Sequence, residues 1–363
     1  MKFLKLLTVI LYTMLLTGCY KKAPIDTTSV LSGIGNDVVD NATFSITYEF
    51  LVFKDQNKIS KSAITEEGRS IFDIYNKRLL GTKKSLITGT ARLLLIGEDR
   101  AKLGIQDIID VFLRDQDRNL NTAIAVCKGK AKDILDMEPN EASTVSEEIE
   151  DLIDTSFETN FTQWDVNIKD LFNMKFQAGR RIMVPYIEKY KDTVRLTSIA
   201  VFENNKMVLI IPADDVKYIN ILRNYNSVGY LTFKSNTPLG STDILCKSKR
   251  KVTAYIDDGK ITYDIKINMK ATLKELDENI FKKLDKKTID NIQTLYSEEL
   301  EAKLKDIIKK YQGDFNIDVF DIEKYALAKL GKDKETFVKN KFNSAKINVN
   351  VNMTVKDIGR LIQ

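Results

Sequence analysis

Residues 92–97 read Arg-Leu-Leu-Leu-Ile-Gly, an unbroken apolar run closed by a glycine. A short apolar run without alternation is expected of a strand covered on both faces. Outward from it, Ile105, Ile108, Ile109, Phe112 and Leu113 recur at helical spacing. Residues 122–127 (Thr-Ala-Ile-Ala-Val-Cys) then form a second apolar strand, and Ala131 to Leu135 opens another helix. Helices alternating with short apolar strands predict an α/β unit with room for a βαβ crossover.

Upstream, Ile34 to Phe53 is extended, with Phe44, Ile46, Tyr48 and Phe50 alternating on one face. Ile64, Ile71, Phe72, Ile74, Tyr75 and Leu79 then follow a mostly helical spacing that Gly81 ends. Downstream, no Lys or Arg occurs from Ile134 to Ile168, while ten acids lie between Asp136 and Asp165. This stretch could be a linker, a solvated helix (Val145 to Ile153) or a cation-attracting face; a surface segment near a domain boundary is the favoured reading. Beyond it, Leu196–Phe202 and Lys206–Ile211 flank Glu203-Asn204-Asn205 as a hairpin, and Val228–Phe233 adds a strand. Val252–Ile256 and Ile261–Met269 flank Asp257-Asp258-Gly259 as a second hairpin. A long amphipathic helix is expected over about Thr288–Gln312, with Ile292, Leu300, Leu304 and Ile308 in its apolar stripe. A second helix over about Val319–Leu330 ends at Gly331. Ile347, Val349, Val351 and Met353 alternate with Asn348, Asn350 and Asn352, which reads as an antiparallel strand with one wet face.

The fold class is therefore α+β (mixed α/β), and 363 residues suit two or three domains. The expected units are an α/β domain over 33–145, a β-rich middle domain over 146–245, and a C-terminal domain over 246–363 in which an antiparallel sheet packs with long helices.

The N-terminus has a different character. Lys2 and Lys5 precede an apolar run from Leu6 to Leu16, which closes on Leu16-Thr17-Gly18-Cys19. Eleven helical residues cover about 16 Å, too short for a hydrocarbon core of about 30 Å, and the flanks are those of a secretory signal. The tail resembles a bacterial lipobox, with cleavage between Gly18 and Cys19 and a diacylglyceryl group on the Cys19 thiol. Residues 1–18 would be removed, leaving residues 19–32 as a lipidated tether outside the cytoplasm. An ordinary signal peptide or an uncleaved anchor is the plainer alternative. Lys21 and Lys22 would sit beside anionic lipid, or be two solvated lysines.

The chain has no histidine among its 363 residues, which removes Ser-His-Asp and Cys-His catalysis, His-ligated zinc and His-based pH switching. A net charge of +5 on 56 basic and 51 acidic residues is too dilute for a nucleic-acid binder. Asp115-x-Asp117-x-Asn119 imitates the start of an EF-hand loop, but Leu120 and Val126 stand where Gly and Glu are required. No Gly-x-Ser-x-Gly elbow or Walker loop occurs. With Cys19 acylated, Cys127 and Cys246 remain without CxxC spacing, and Cys127 reads as a small core residue. No catalytic residue, metal site or cofactor is expected. Gly97-Glu98, Arg114-Asp115 and Lys128-Gly129 with Asp133 fall at element ends, where a cap or turn role is expected ahead of ligand contact.

The ordered landmarks resemble the Ger(x)C, or GerAC-like, family, the C subunit lipoproteins of bacterial spore germinant receptors. These are the lipobox at Cys19, Gly33-Ile-Gly-Asn-Asp37 before Phe44–Phe50, Leu93–Glu98, Gly104-Ile105 with Ile108–Asp115, Ala125–Leu135, Asp318-Val-Phe-Asp-Ile-Glu323 and the Val349–Met353 strand. The chain departs from the family at Thr88-Gly89, where Ser-His is usual, and at Phe337 and Phe342, where a tryptophan commonly precedes the last strand. The resemblance implies a non-enzymatic, three-domain lipoprotein on the outer face of the spore inner membrane. It would assemble with integral-membrane A and B subunits, with direct binding of a small molecule not expected. The competing expectation is a lipid-anchored solute-binding protein, against which the two hairpins argue.

Overall fold

A computed structural model describes residues 28–40, 42–54, 58–82, 84–156, 159–162, 166–234, 241–275 and 285–357. The expectations for Gly18, Cys19 and the tether up to residue 27 lie outside the described residues.

The order of elements is β1 (Thr28–Asp40), β2 (Thr43–Lys54), β3 (Lys58–Gly68), α1 (Ile71–Leu80), β4 (Ser85–Ile87), β5 (Leu93–Gly97), α2 (Glu98–Leu103), α3 (Gln106–Arg114), β6 (Ala123–Cys127), α4 (Ala131–Leu135), α5 (Val145–Ser156), α6 (Ile168–Phe176), β7 (Ile182–Tyr190), β8 (Thr193–Glu203) and β9 (Lys206–Ile211). The chain continues with α7 (Ala213–Arg223), β10 (Asn226–Lys234), β11 (Ser241–Asp257), β12 (Lys260–Glu275), α8 (Lys286–Lys309), α9 (Glu323–Leu330), α10 (Glu335–Lys341) and β13 (Lys346–Asp357). The protein is a multi-domain mixed α/β fold built on a nine-stranded and a four-stranded sheet.

The larger sheet runs β3-β2-β1-β5-β6-β7-β8-β9, with β4 paired to β1. Strands β1, β5, β6 and β7 are mutually parallel, and the hairpins at either side are antiparallel. The apolar run that opened the sequence reading is its centre. Leu94 and Ile96 pack into one core with α3 and α6, while Leu93 and Leu95 pack into another with α4 and α5. Residue 145 starts α5, and the sheet continues beyond it through the pairing of Val126 with Tyr186.

The smaller sheet runs β10-β11-β12-β13, and residue 246 lies inside β11. Its core is continuous with buried residues of β7 to β9 and α7. Hairpin turns fall where expected: Asn204 and Asn205 have φ of 49° and 65°, and Asp258 and Gly259 have φ of 43° and 70°. Left-handed backbone at both turn residues suits the twist of the flanking strands, and Gly259 adopts it without a Cβ penalty.

The last strand departs from its antiparallel reading: β13 pairs parallel to β12, with Ile265 opposite Val349. Alternation reports which face is buried, not strand direction. A connection through the 24-residue helix α8 carries the chain back along the sheet, which permits parallel pairing. α8 also covers the open edge of β13. Gln293 Oε1, Ser297 Oγ and Glu301 Oε2 accept the amides of Val355, Met353 and Val351 at 2.8, 3.0 and 3.1 Å. These three side chains are four residues apart on one helix face, and they occupy an edge that another strand could otherwise extend.

Two helix starts also differ from the sequence reading. Ile64 belongs to β3, and α1 begins only after Ser70, whose Oγ accepts the Asp73 amide at 3.1 Å. The expected helix from Val319 begins at Glu323, because Asp321 has φ of 53° and breaks the run.

Candidate functional site

The carboxyl ends of parallel strands are where open α/β sheets bind ligands. Here the ends of β1, β5 and β6 gather Asn36 and Asp37, Gly97 and Glu98, and Lys128 and Gly129. Asp37 is buried and accepts the amides of Ala131 at 2.7 Å and Lys132 at 2.9 Å, closing the N-terminus of α4. Burial pushes its pKa up, and the two amide hydrogen bonds work against that rise. Gly97 lies against this carboxylate. A Cβ there would overlap Asp37 Oδ1 and stand 3.1 Å from the Gly129 carbonyl oxygen.

Glu98 donates its amide to the Gly129 carbonyl at 2.9 Å. Its carboxylate accepts Lys102 Nζ and Tyr186 Oη, each at 2.6 Å. Burial works upward on Glu98, but these bonds hold its pKa below the usual range. Burial and the Glu98 charge push the Tyr186 phenol up. Arg100, also buried, donates Nε to Asn36 Oδ1 at 2.9 Å and bonds to the Gly104 carbonyl and Asp107. Lys128 Nζ lies 3.2 Å from Glu188 in an exposed pair. Asp133 is exposed within α4. One strand over, Glu49 does for α5 what Asp37 does for α4: it accepts the amides of Val145 and Ser146 at 2.9 Å each, and the Ser146 hydroxyl.

Arg114 and Asp115 lie apart from this cluster, at the C-terminus of α3, where the chain turns toward the start of β6. Arg114 is exposed. Asp115 accepts the Asp117 amide at 3.2 Å and Arg118 Nε at 3.0 Å. The structure thus brings Gly97, Glu98, Lys128 and Gly129 together at the carboxyl ends of β5 and β6 and leaves Arg114 and Asp115 elsewhere.

A second constellation was not singled out by the sequence reading as a site, although Asp318–Glu323 was one of its landmarks. It joins the two sheets. Arg180 and Arg181 precede β7, Arg223 ends α7, and Arg250 lies in β11; all converge on residues 318–323. Asp321 is 1% exposed and lies 2.8 Å from both Arg180 Nε and Arg223 Nη1. Burial works to raise its pKa, yet the guanidiniums of Arg223 and Arg180 hold it below the ordinary value. Asp318 accepts the amides of Phe320, Ile322 and Glu323 at 2.8–2.9 Å. Arg223 donates to the carbonyls of Val319 and Arg181, and Arg250 to those of Phe320 and Arg223. Glu323 is buried 3.3 Å from Arg181, and burial together with the Asp318 charge raises it to about 8. Four arginines from three distant segments meeting three acids have no signal in one sequence, beyond the density of acids in 318–323.

Cys127 and Cys246 are free and buried in separate cores, and burial pushes both thiols up. Between α5, α6, α7 and β7 lies a cavity of about 60 Å³ lined by Ile153, Met174, Val184, Val216 and Asn220. That is room for a few waters, against roughly 300–1,000 Å³ for a small-molecule site. A wider groove of about 740 Å³ opens at the surface between Glu141, Glu148, Asp151, Tyr190 and Arg195, where the acidic segment meets the β7–β8 turn. Among the described residues no helix is long and apolar enough to cross a membrane.

Comparison with known proteins matches the chain to two family models that meet between residues 189 and 197, inside the larger sheet. Residues 21–189 match the family described as spore germination protein N-terminal domain, and residues 197–359 match spore germination B3/GerAC like, C-terminal. The chain is 23% identical over 280 residues to spore germination protein A3 of Bacillus subtilis (strain 168), covering 75% of this chain and 74% of that protein. It is 20% identical over 307 residues to spore germination protein GerQC of Bacillus cereus, covering 83% and 84%. The crystal structure of the GerBC protein superposes with a TM-score of 0.60 over 89% of this chain and 96% of that chain, at 14% identity, a likeness of fold. With both family models matched across nearly its whole length, the chain belongs to the spore germination B3/GerAC-like family.

Proposed function

We propose that this protein is a lipid-anchored, non-enzymatic C subunit of a nutrient germinant receptor. It sits on the outer face of the spore inner membrane and works through contacts with the membrane A and B subunits. The observation that carries this reading is the match to both family models, over residues 21–189 and 197–359.

The geometry is compatible with it. At the carboxyl ends of the strands, where an α/β fold would present reactive groups, Asp37 is held by two backbone amides and Glu98 by a lysine and a tyrosine; within β2, Glu49 is held by the start of α5. Each of these carboxylates is engaged by partners within the chain, which supports a structural role. The buried Arg–acid knot links the two sheets, so a load applied to one passes to the other through packed, paired side chains. A diacylglyceryl group on Cys19 would keep this body at the bilayer, where tethering raises its effective concentration toward membrane partners.

The test is affinity purification of the tagged chain from spore inner membranes, with deletion of its gene in parallel. Co-purification of A and B subunits and loss of response to at least one germinant are the expected results. Recovery of the chain alone, with normal germination to every nutrient in a strain lacking redundant receptors, would overturn the reading.

A further inference from the structure

The larger sheet has two ends, and the tether leaves from one of them. Register fixes which elements share that end. Val30 of β1 lies opposite Leu51 of β2, Phe53 opposite Ile59 of β3, and Thr28 alongside Ser85 of β4. β5 and β6 begin on the same side, because Leu93 pairs with both Gly33 and Ala123. The C-terminus of α1, which leads into β4, and that of α3, which leads toward β6, therefore lie there too. The loops of this end touch: a Cβ on Gly89 would meet the Asp117 carbonyl oxygen.

Among the described residues, this end carries at least six large apolar side chains that are exposed. Leu80 is 90% exposed and Phe53 55%; Ile59, Ile87, Leu113 and Leu120 are exposed as well. They come from β2, β3, α1, β4, α3 and the loop after α3, so no single helix or strand accounts for them. Exposed apolar residues gathered at one end of a sheet make it a candidate interaction surface. Lys84 is exposed between Leu80 and Ile87. Apolar side chains beside a lysine suit the interface of an anionic bilayer.

The chain ahead of β1 names the occupant. Nine peptide steps separate Cys19 from Thr28, which reach at most about 30 Å when extended. β1 itself, at 13 residues, is about 43 Å long. A body held at Cys19 has its tether-bearing end within reach of the lipid, and its far end, at Val39, is held away when the sheet stands on that end.

We infer that the end of the sheet formed by the β2–β3 tip, the C-terminus of α1 and β4 is a lipid-contacting face, with Phe53, Ile59, Leu80 and Ile87 entering the bilayer interface. The inference rests on the Cys19 anchor proposed above and adds an orientation: the protein stands on the membrane and does not swing freely from its tether.

The test uses the full chain reconstituted into vesicles of phosphatidylcholine and phosphatidylglycerol with brominated acyl chains. Phe53→Trp and Leu80→Trp are compared with Val39→Trp, a control at the far end that is 49% exposed in the native chain, after subtraction of the Trp164 signal. Bromolipid is expected to quench the first two several-fold more strongly than the third. Equal quenching at all three positions in vesicle-bound protein overturns the standing orientation, as does the absence of quenching at 53 and 80. Cys19→Ala protein is sedimented in parallel: binding equal to that of the unsubstituted chain defeats the anchor reading, whatever the quenching pattern. A chain that never sediments with vesicles defeats both.

Discussion

Gly97→Ala tests why the strand-end motif has the residues it has. At φ of −63° the backbone of residue 97 suits any L-amino acid, so the substitution carries no conformational strain of its own. The new methyl would instead overlap Asp37 Oδ1. A carboxylate tip can usually swing aside, but this one accepts two amides, at 2.7 and 2.9 Å, from the first turn of α4. Displacing it forfeits two hydrogen bonds to a charged acceptor, about 1.5–3 kcal/mol each, and leaves buried amides unpaired. The expected loss is about 3–5 kcal/mol, or roughly 10 °C in the melting transition of a sheet domain this size. Thermal unfolding of the full chain, followed by circular dichroism, reads it. Asp37→Ala separates the cause: alone it loses the same hydrogen bonds, and in its background Gly97→Ala is expected to cost less than about 1 kcal/mol, because only the Gly129 carbonyl remains close. A melting temperature within about 2 °C of the unsubstituted protein, or an equal drop in both backgrounds, would refute the reasoning.

At the junction, Asp321→Asn keeps a residue that accepts φ of 53° while removing the charge that faces Arg180 and Arg223. Uncompensated buried guanidiniums predict about 3–5 kcal/mol of destabilisation by urea unfolding, and a loss under about 1 kcal/mol would mean the pair is solvated. Glu323 holds its proton up to about pH 8, against an ordinary 4.5, so the folded protein retains a proton that the unfolded chain releases. Its contribution is therefore complete below about pH 4.5 and lost as pH rises through about 8. Glu323→Gln should flatten the decline of the unfolding free energy from urea titrations between pH 5 and pH 8, by an amount on the order of a few kcal/mol; an unchanged slope contradicts the assignment. Ser297→Ala with Gln293→Ala uncovers the β13 edge at Met353 and Val355, and faster hydrogen exchange at those two amides than at their neighbours is the expected signature.

Much of the architecture was legible because burial writes itself into local pattern. Leu93–Ile96 is covered on both faces, both hairpin turns hold left-handed residues, and the α8 stripe at Ile292, Leu300, Leu304 and Ile308 is buried. Several elements escaped notice, among them β3, β4, β7, α6, α7 and α10. β7 carries Pro185 amid a buried run, α6 is nine residues long, and α7 is buried nearly all round, down to Asn220 and Arg223, so no polar face marks its period. Strand direction in β13 was misread because alternation is identical in parallel and antiparallel pairs. The site was legible in its backbone parts and illegible in its pairings. Gly97, Glu98 and Gly129 stand at element ends as sequence suggests, but Asp37 meets α4 across 94 residues and Arg223 meets the Val319 carbonyl across 96. Local periodicity carries no record of such encounters.

The account turns on whether this folded body is fastened to lipid through one sulfur. Cys19→Ala in the native spore former, with fractionation of spores and a nutrient germination assay, addresses that directly. The account predicts that the protein leaves the inner-membrane fraction and that the cognate nutrient response is lost. Retention in the membrane with normal germination would contradict it.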